Sequence, residues 1–181
     1  MRGVGRGRSA GRTWASWSCA LSLLGGPAGV AGATAGGHVA PAPPAHPALE
    51  DRIPELRQAR QAARERLGDA RCQAVLTDFR SVSGLRLDEV LRASGRTAQE
   101  QLDLLRLESG LGRPACDRRV TRAFTRIHSS VVSICLRPFT LLPSLQQQAV
   151  LIHELLHSLG LGEGPPESLA ITARVLARCG P

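Results

Sequence analysis

The stretch "HELLH", His153 to His157, sets two imidazoles four residues apart with a carboxylate, Glu154, beside the first. On a helix, positions four apart project from the same side, so both rings can reach one metal ion. Glu154 is turned by roughly 100° around the axis from His153, which sets its carboxylate beside such an ion rather than on it. This is the H-E-x-x-H arrangement, in which the histidines bind zinc and the glutamate takes a proton from water. The flanking run "AVLIHELLHSLG" is otherwise apolar, so these polar groups are costly to bury unless a partner or a cation satisfies them. A four-coordinate zinc with one open position asks for one more protein ligand. Beyond His157 there is no further histidine and no aspartate, and the carboxylates available are Glu163 and Glu167.

The helix that must position these groups opens at "SLQQ", where Ser144 and Gln147 have capping-box spacing. It closes at Gly160, a residue that accepts the left-handed conformation of a helix end. With no polar face beyond the site residues, it is expected to be buried on nearly all sides. Ahead of it, "RAFTRIHSSVVSICLRPF" is rich in β-branched residues and reads as two strands joined by a turn. Behind it, "PPESLAITARVLARC" reads as a last helix from near Pro166 to just before Gly180. Upstream, "PELRQARQAARERLGDARCQAVLTDF" predicts helix from Pro54 with a break at Gly68, and "LDEVLRAS" predicts a short helix. Thr97 and Glu100 have capping-box spacing and predict another helical start, while "DLLRLES" fits either a strand or the end of that helix. The expected fold is α+β: one helix-rich domain with a small mixed or antiparallel sheet and a buried helix that carries the site.

Residues 1–35 read as a secretory signal peptide. Arg2, Arg6, Arg8 and Arg12 form its basic start, "WASWSCALSLLGG" its apolar stretch, and Ala33 or Ala35 its cleavage site. Pro27 and the surrounding glycines suit a membrane-spanning helix poorly. Residues 36–50 are rich in proline and alanine and read as a linker in which His38 and His46 have no role, and 51–181 as the folded domain. The expectation is a secreted or periplasmic monomer with no stable membrane insertion after cleavage. The chain carries a net charge of +8, but 19 of its 23 basic residues and all 15 acidic ones lie beyond residue 35, leaving about +4. Every basic residue is an arginine, interleaved with acids as in "EDRIPELRQARQAARERLGDAR", and aromatic residues are scarce, which argues against a nucleic-acid partner.

If Cys19 leaves with the signal, Cys72, Cys116, Cys135 and Cys179 remain, an even number that implies two disulfides in an exported chain. Three connectivities are possible. Pairing Cys72 with Cys116 and Cys135 with Cys179 is the favoured one, because it ties the last helix to the strand before the site helix. No two cysteines have the close spacing of a zinc site.

"HELLHSLGLGE" resembles the extended zincin pattern H-E-x-x-H-x-x-G-x-x-H/D of metzincin metallopeptidases at His153, Glu154, His157 and Gly160, with Glu163 standing where they carry the third ligand. "LIHELLHSLGLGEGPPES" is also similar to the C-terminal part of small secreted bacterial proteins with this motif. The resemblance spans about residues 120–181, and only the H-E-x-x-H block is specific. It implies a zinc-dependent endopeptidase with a mixed sheet, an active-site helix and an edge strand that pairs with an extended peptide or protein substrate. In that expectation His153, His157 and Glu163 hold zinc, and Glu154 is the general base. Metzincins carry a methionine turn beneath the metal, whereas the sole methionine here is Met1, so the resemblance is to zincins at large. With no tyrosine in the chain, oxyanion stabilisation would fall to His128, Arg126 or Arg137. The rival expectation is a non-catalytic exported domain, holding zinc in a degenerate site or docking on an acidic partner.

Overall fold

Pro54 opens the first long helix because its missing N–H falls where an α-helix has no internal partner to offer. The structure, a computed structural model, describes residues 48–118 and 120–181. The signal-peptide segment 1–35 and all but the end of segment 36–50 lie outside the described residues. The fold starts slightly before residue 51: α1 (Leu49–Arg52) is already helical and buries Leu49. There follow α2 (Pro54–Arg66), α3 (Ala70–Gln73), α4 (Val75–Asp78), α5 (Leu87–Ala93) and α6 (Ala98–Asp103). Along α2, Leu56, Ala59 and Ala63 recur at helical spacing and are buried. The break near Gly68 is real, and Asp69 restarts the chain by accepting the Arg71 N–H at 2.7 Å. The capping box at α6 is also real, with Thr97 Oγ1 accepting from Glu100 N–H at 3.2 Å and Glu100 accepting from Thr97 N–H at 2.8 Å.

Three strands follow: β1 (Arg106–Ser109), β2 (Ala123–Thr125) and β3 (Val131–Ile134), with a 3-10 turn at Pro114–Asp117 between the first two. The ambiguous "DLLRLES" is therefore divided, its start ending α6 and its end forming β1. The strands lie in the order β1-β3-β2. β1 runs parallel to β3, with Arg106 opposite Val131 and Ser109 opposite Ile134. β2 runs antiparallel to β3, with Ala123 opposite Ile134 and Thr125 opposite Val132. The sheet is mixed and β2 is an edge.

The chain ends with α7 (Leu136–Thr140), α8 (Ser144–Ser158) and α9 (Ser168–Cys179). α8 starts at the expected place without the expected box. Pro143 is the N-cap, no side chain caps the helix, and Ser144 is already helical, its hydroxyl taken by Gln148 Nε2 at 3.0 Å. The Pro143 carbonyl receives the Gln146 and Gln147 N–H groups at 2.8 and 3.1 Å, so proline's extended geometry does the work assigned to serine. α8 packs against α2, α9 and β2, and from Leu151 to Ser158 every residue is buried. Leu151, Ile152, Leu155 and Leu156 are essentially inaccessible, each contributing roughly 1.5–3 kcal/mol of apolar burial.

The disulfides correct the expected pairing. Cys72 is bonded to Cys179, with Cα atoms 4.4 Å apart, and Cys116 to Cys135, with Cα atoms 5.1 Å apart. α9 packs on α3, which delivers Cys179 to Cys72, while the 3-10 turn brings Cys116 to the end of β3. No helix of the described residues is long and apolar enough to cross a membrane. The molecule is thus an α+β single domain, helix-rich, with a small mixed sheet.

Candidate metal centre

His153 and His157 stand four positions apart on α8, and their Nε2 atoms face each other at 2.9 Å. Each ring is held from behind. His157 Nδ1 lies 2.8 Å from the Leu161 carbonyl, which can only accept, so Nδ1 carries a hydrogen and donates, which leaves Nε2 as the ring's ligand atom. His153 Nδ1 lies 2.9 Å from the Thr172 hydroxyl of α9. A hydroxyl both donates and accepts, so Thr172 supports either tautomer of His153. With Nε2–H directed at His157, the hydroxyl donates to Nδ1; with both Nε2 lone pairs given to a cation, Nδ1–H donates to the hydroxyl. Burial, reinforced by the neighbouring His157, pushes His153 down to about 3, so it is neutral at ordinary pH as a metal ligand must be.

Glu163 completes the group. Its Oε1 is 3.5 Å from His157 Nε2, its side chain is 67% exposed, and the ligand atoms of all three residues lie within 4.8 Å of one another. Glu167, the N-cap of α9, is not part of this group. The backbone reason is Gly160. Its φ of 106° turns the chain after α8, and Leu161 N–H returns to the Leu156 carbonyl at 3.0 Å, which brings residue 163 back over the helix. Nitrogens about 2.05 Å from a tetrahedral zinc lie about 3.3 Å apart, within a few tenths of an ångström of the spacing seen here. Two imidazoles and one carboxylate are a donor set that suits zinc.

Glu154 is buried, and one carboxylate oxygen, Oε2, has no hydrogen-bond partner. Burial, with the Glu163 charge as the next cause, pushes its carboxyl up to about 8, against the pull of the Thr125 N–H that donates to it. An orphaned carboxylate oxygen this deep is rare in native proteins and points to a ligand or proton that it serves.

His128 lies in the turn between β2 and β3 with φ at 63°, and its N–H donates to the His157 carbonyl at 3.1 Å. Its exposed ring covers Gly160, where an added Cβ would come within 2.4 Å of Cε1, and it is not one of the three metal-competent groups. Arg126 and Arg137 are exposed, Arg126 directly after the residue that holds Glu154. Sequence reasoning overlooked Thr172 and the Thr125 N–H. The only sequence signal for the first is that it is a polar residue beside the buried stripe Ile171, Val175 and Cys179, and a backbone donor has no sequence signal at all.

Two surface hollows, of about 360 and about 480 Å³, are lined by α2, α3, α8 and α9 residues and by α3 to α6 residues respectively, and neither includes His153, His157 or Glu163. No protein-family model, no curated protein and no solved structure matches this chain.

Proposed function

We propose that this chain is a zinc-dependent peptidase in which His153, His157 and Glu163 hold the cation and Glu154 is the general base. One observation carries the reading: a buried carboxylate with an unpartnered oxygen stands on the same helix as two back-braced imidazoles whose Nε2 atoms converge beside a third carboxylate. A bound zinc supplies Lewis acidity toward a carbonyl and makes water a nucleophile near neutral pH. The chain's own groups do the rest. Leu161 and Thr172 fix the ring orientations, Thr125 N–H holds one oxygen of Glu154, and the other is left to accept the proton of the attacking water and pass it to the leaving amine. The buried surround keeps bulk water from competing for these groups.

The test is the metal content of the purified oxidised chain by elemental mass spectrometry, followed by peptide hydrolysis. About one zinc per chain, lost in His157→Ala, is expected. Glu154→Gln should keep the metal and lose about 10²- to 10⁴-fold in hydrolysis; a variant as active as the native chain would sink the assignment. Glu163→Ala should weaken zinc binding far more than Glu167→Ala. The burial of both histidines favours, as second reading, zinc binding without hydrolysis, for which one zinc per chain and no cleavage of any peptide would speak.

A further inference from the structure

β2 is an edge strand of the sheet, and its ladder dictates which backbone groups face outward. Cys135 N–H donates to the Arg122 carbonyl at 3.0 Å, so Arg122 faces β3, and by the alternation of an antiparallel pair so does Phe124. Ala123 and Thr125 therefore direct their backbone groups away from the sheet. The Thr125 N–H takes the Glu154 carboxylate, which places the proposed base at the end of the edge. The remaining outward groups, the Ala123 N–H and the carbonyls of Ala123 and Thr125, suit an extended chain laid alongside.

Charge is distributed unevenly around this edge. Between Glu108 and Glu154 the sequence holds six arginines and a single acid, Asp117. Elsewhere the acids are interleaved with the arginines and several of these pair with carboxylates, as Arg60 meets Glu50 at 2.9 Å and Arg178 meets Asp78 at 2.7 Å. Among the described residues no ion pair involves Arg118 or Arg126, and both are exposed. Arg118 precedes β2, with Thr121 N–H on its carbonyl at 3.2 Å, and Arg126 directly follows the strand. In the chain the edge thus lies between two exposed arginines that form no ion pair among the described residues. Nucleic acid fits this face poorly, since single strands need aromatic faces to stack on: Phe79 and Phe139 are buried, Phe124 is half-buried, and both tryptophans precede residue 35.

We propose that the β2 edge binds acidic polypeptide segments, extended along Ala123 to Thr125 with their carboxylates against Arg118 and Arg126, and that such segments are the substrates; the substrate part rests on the peptidase reading above. Opposite charge selects and steers the segment, and the strand edge aligns its backbone beside Glu154.

The experiment uses the oxidised, zinc-supplied full chain with Glu154→Gln, and three fluorescein-labelled decapeptides of one backbone sequence carrying glutamate, glutamine or arginine at the same four positions. Fluorescence anisotropy should show the glutamate peptide binding about tenfold more tightly than the glutamine peptide, with the advantage shrinking as salt screens the pairs. Arg118→Glu with Arg126→Glu should abolish that preference, and Arg118→Lys with Arg126→Lys should retain it. Equal affinity for the glutamate and glutamine peptides overturns the proposal without needing either variant to fold. Tighter binding of a single-stranded oligonucleotide of similar charge also overturns it, in favour of a nucleic-acid face. Glutamate-selective binding with no cleavage by the unsubstituted chain overturns the peptidase reading and leaves the acidic-segment site standing, whereas cleavage indifferent to acidic flanks does the reverse.

Discussion

Thr172 shows how a single hydroxyl can govern a site. Its oxygen is the one side-chain partner of His153 Nδ1 among the described residues, and because it can donate or accept, it serves the histidine in either tautomer when a cation arrives. Partners of this kind typically alter metal affinity 10- to 100-fold when removed. Thr172→Val, which keeps the shape and deletes the hydroxyl, is therefore expected to weaken zinc binding by about tenfold in a chelator competition, while Thr172→Ser restores it. Equal affinity in all three chains would mean that the ring is oriented by packing alone. Glu154 argues from the same scale: its unpartnered oxygen is hard to reconcile with a purely structural carboxylate, for which Gln would serve as well.

At the scale of elements, the site depends on how α8 ends and where α9 is pinned. Gly160 has φ at 106°, and a Cβ there would lie 2.4 Å from the His128 ring. Gly160→Ala is expected to cost about 2 kcal/mol, read by denaturant titration, and to weaken zinc binding with it, because the same turn carries the Leu161 carbonyl and Glu163. A destabilised chain with native zinc affinity would separate the turn from the site. α9 is held at its far end by Asp78, which accepts from Arg178 Nε and Nη2 at 2.7 and 2.8 Å. That hydrogen bond holds the Asp78 carboxyl below its ordinary 3.8. A carboxylate whose pKa is depressed on folding stabilises the fold above its unfolded value, and loses that contribution as pH falls through the folded value. The Tm of Asp78→Asn should accordingly lie below that of the native chain at pH 7, and the gap should close as pH falls below about 3.8. A gap that persists at pH 2 would show that shape, not charge, matters there.

Over the whole molecule, the two disulfides act on different lengths of chain. Cys72–Cys179 closes a loop with a sequence separation of 107, tying α3 to α9, while Cys116–Cys135 has a separation of 19 and staples the approach to β2. In the chain-entropy account the longer loop contributes about 4.7 kcal/mol and the shorter about 3 kcal/mol. Replacing Cys72 and Cys179 together by alanine should therefore lower the unfolding free energy more than replacing Cys116 and Cys135. The reverse order would place the main constraint at the sheet. Reduction of the first pair also frees the end of α9, the helix that presents Thr172 to His153.

What the sequence by itself determined is local. The buried α8 and its end at Gly160 follow from a run of apolar residues closed by glycine, the start of α2 from Pro54, the start of α6 from the Thr97–Glu100 box, and β2 and β3 from β-branched residues around a polar turn. The convergence of His153 and His157 was equally legible, since helical spacing alone puts both on one side. The tertiary structure decided everything that joins residues far apart in the chain: which cysteines meet, that Glu163 rather than Glu167 reaches the histidines, that Thr172 stands behind His153, and that β2 is the edge beside Glu154. The physical reason is the range of the forces involved. Helix periodicity, caps and turns act over a few residues and leave their mark in neighbouring letters. The meeting of α9 with α3, by contrast, depends on how several apolar faces bury one another at once, and no short stretch of sequence records that sum.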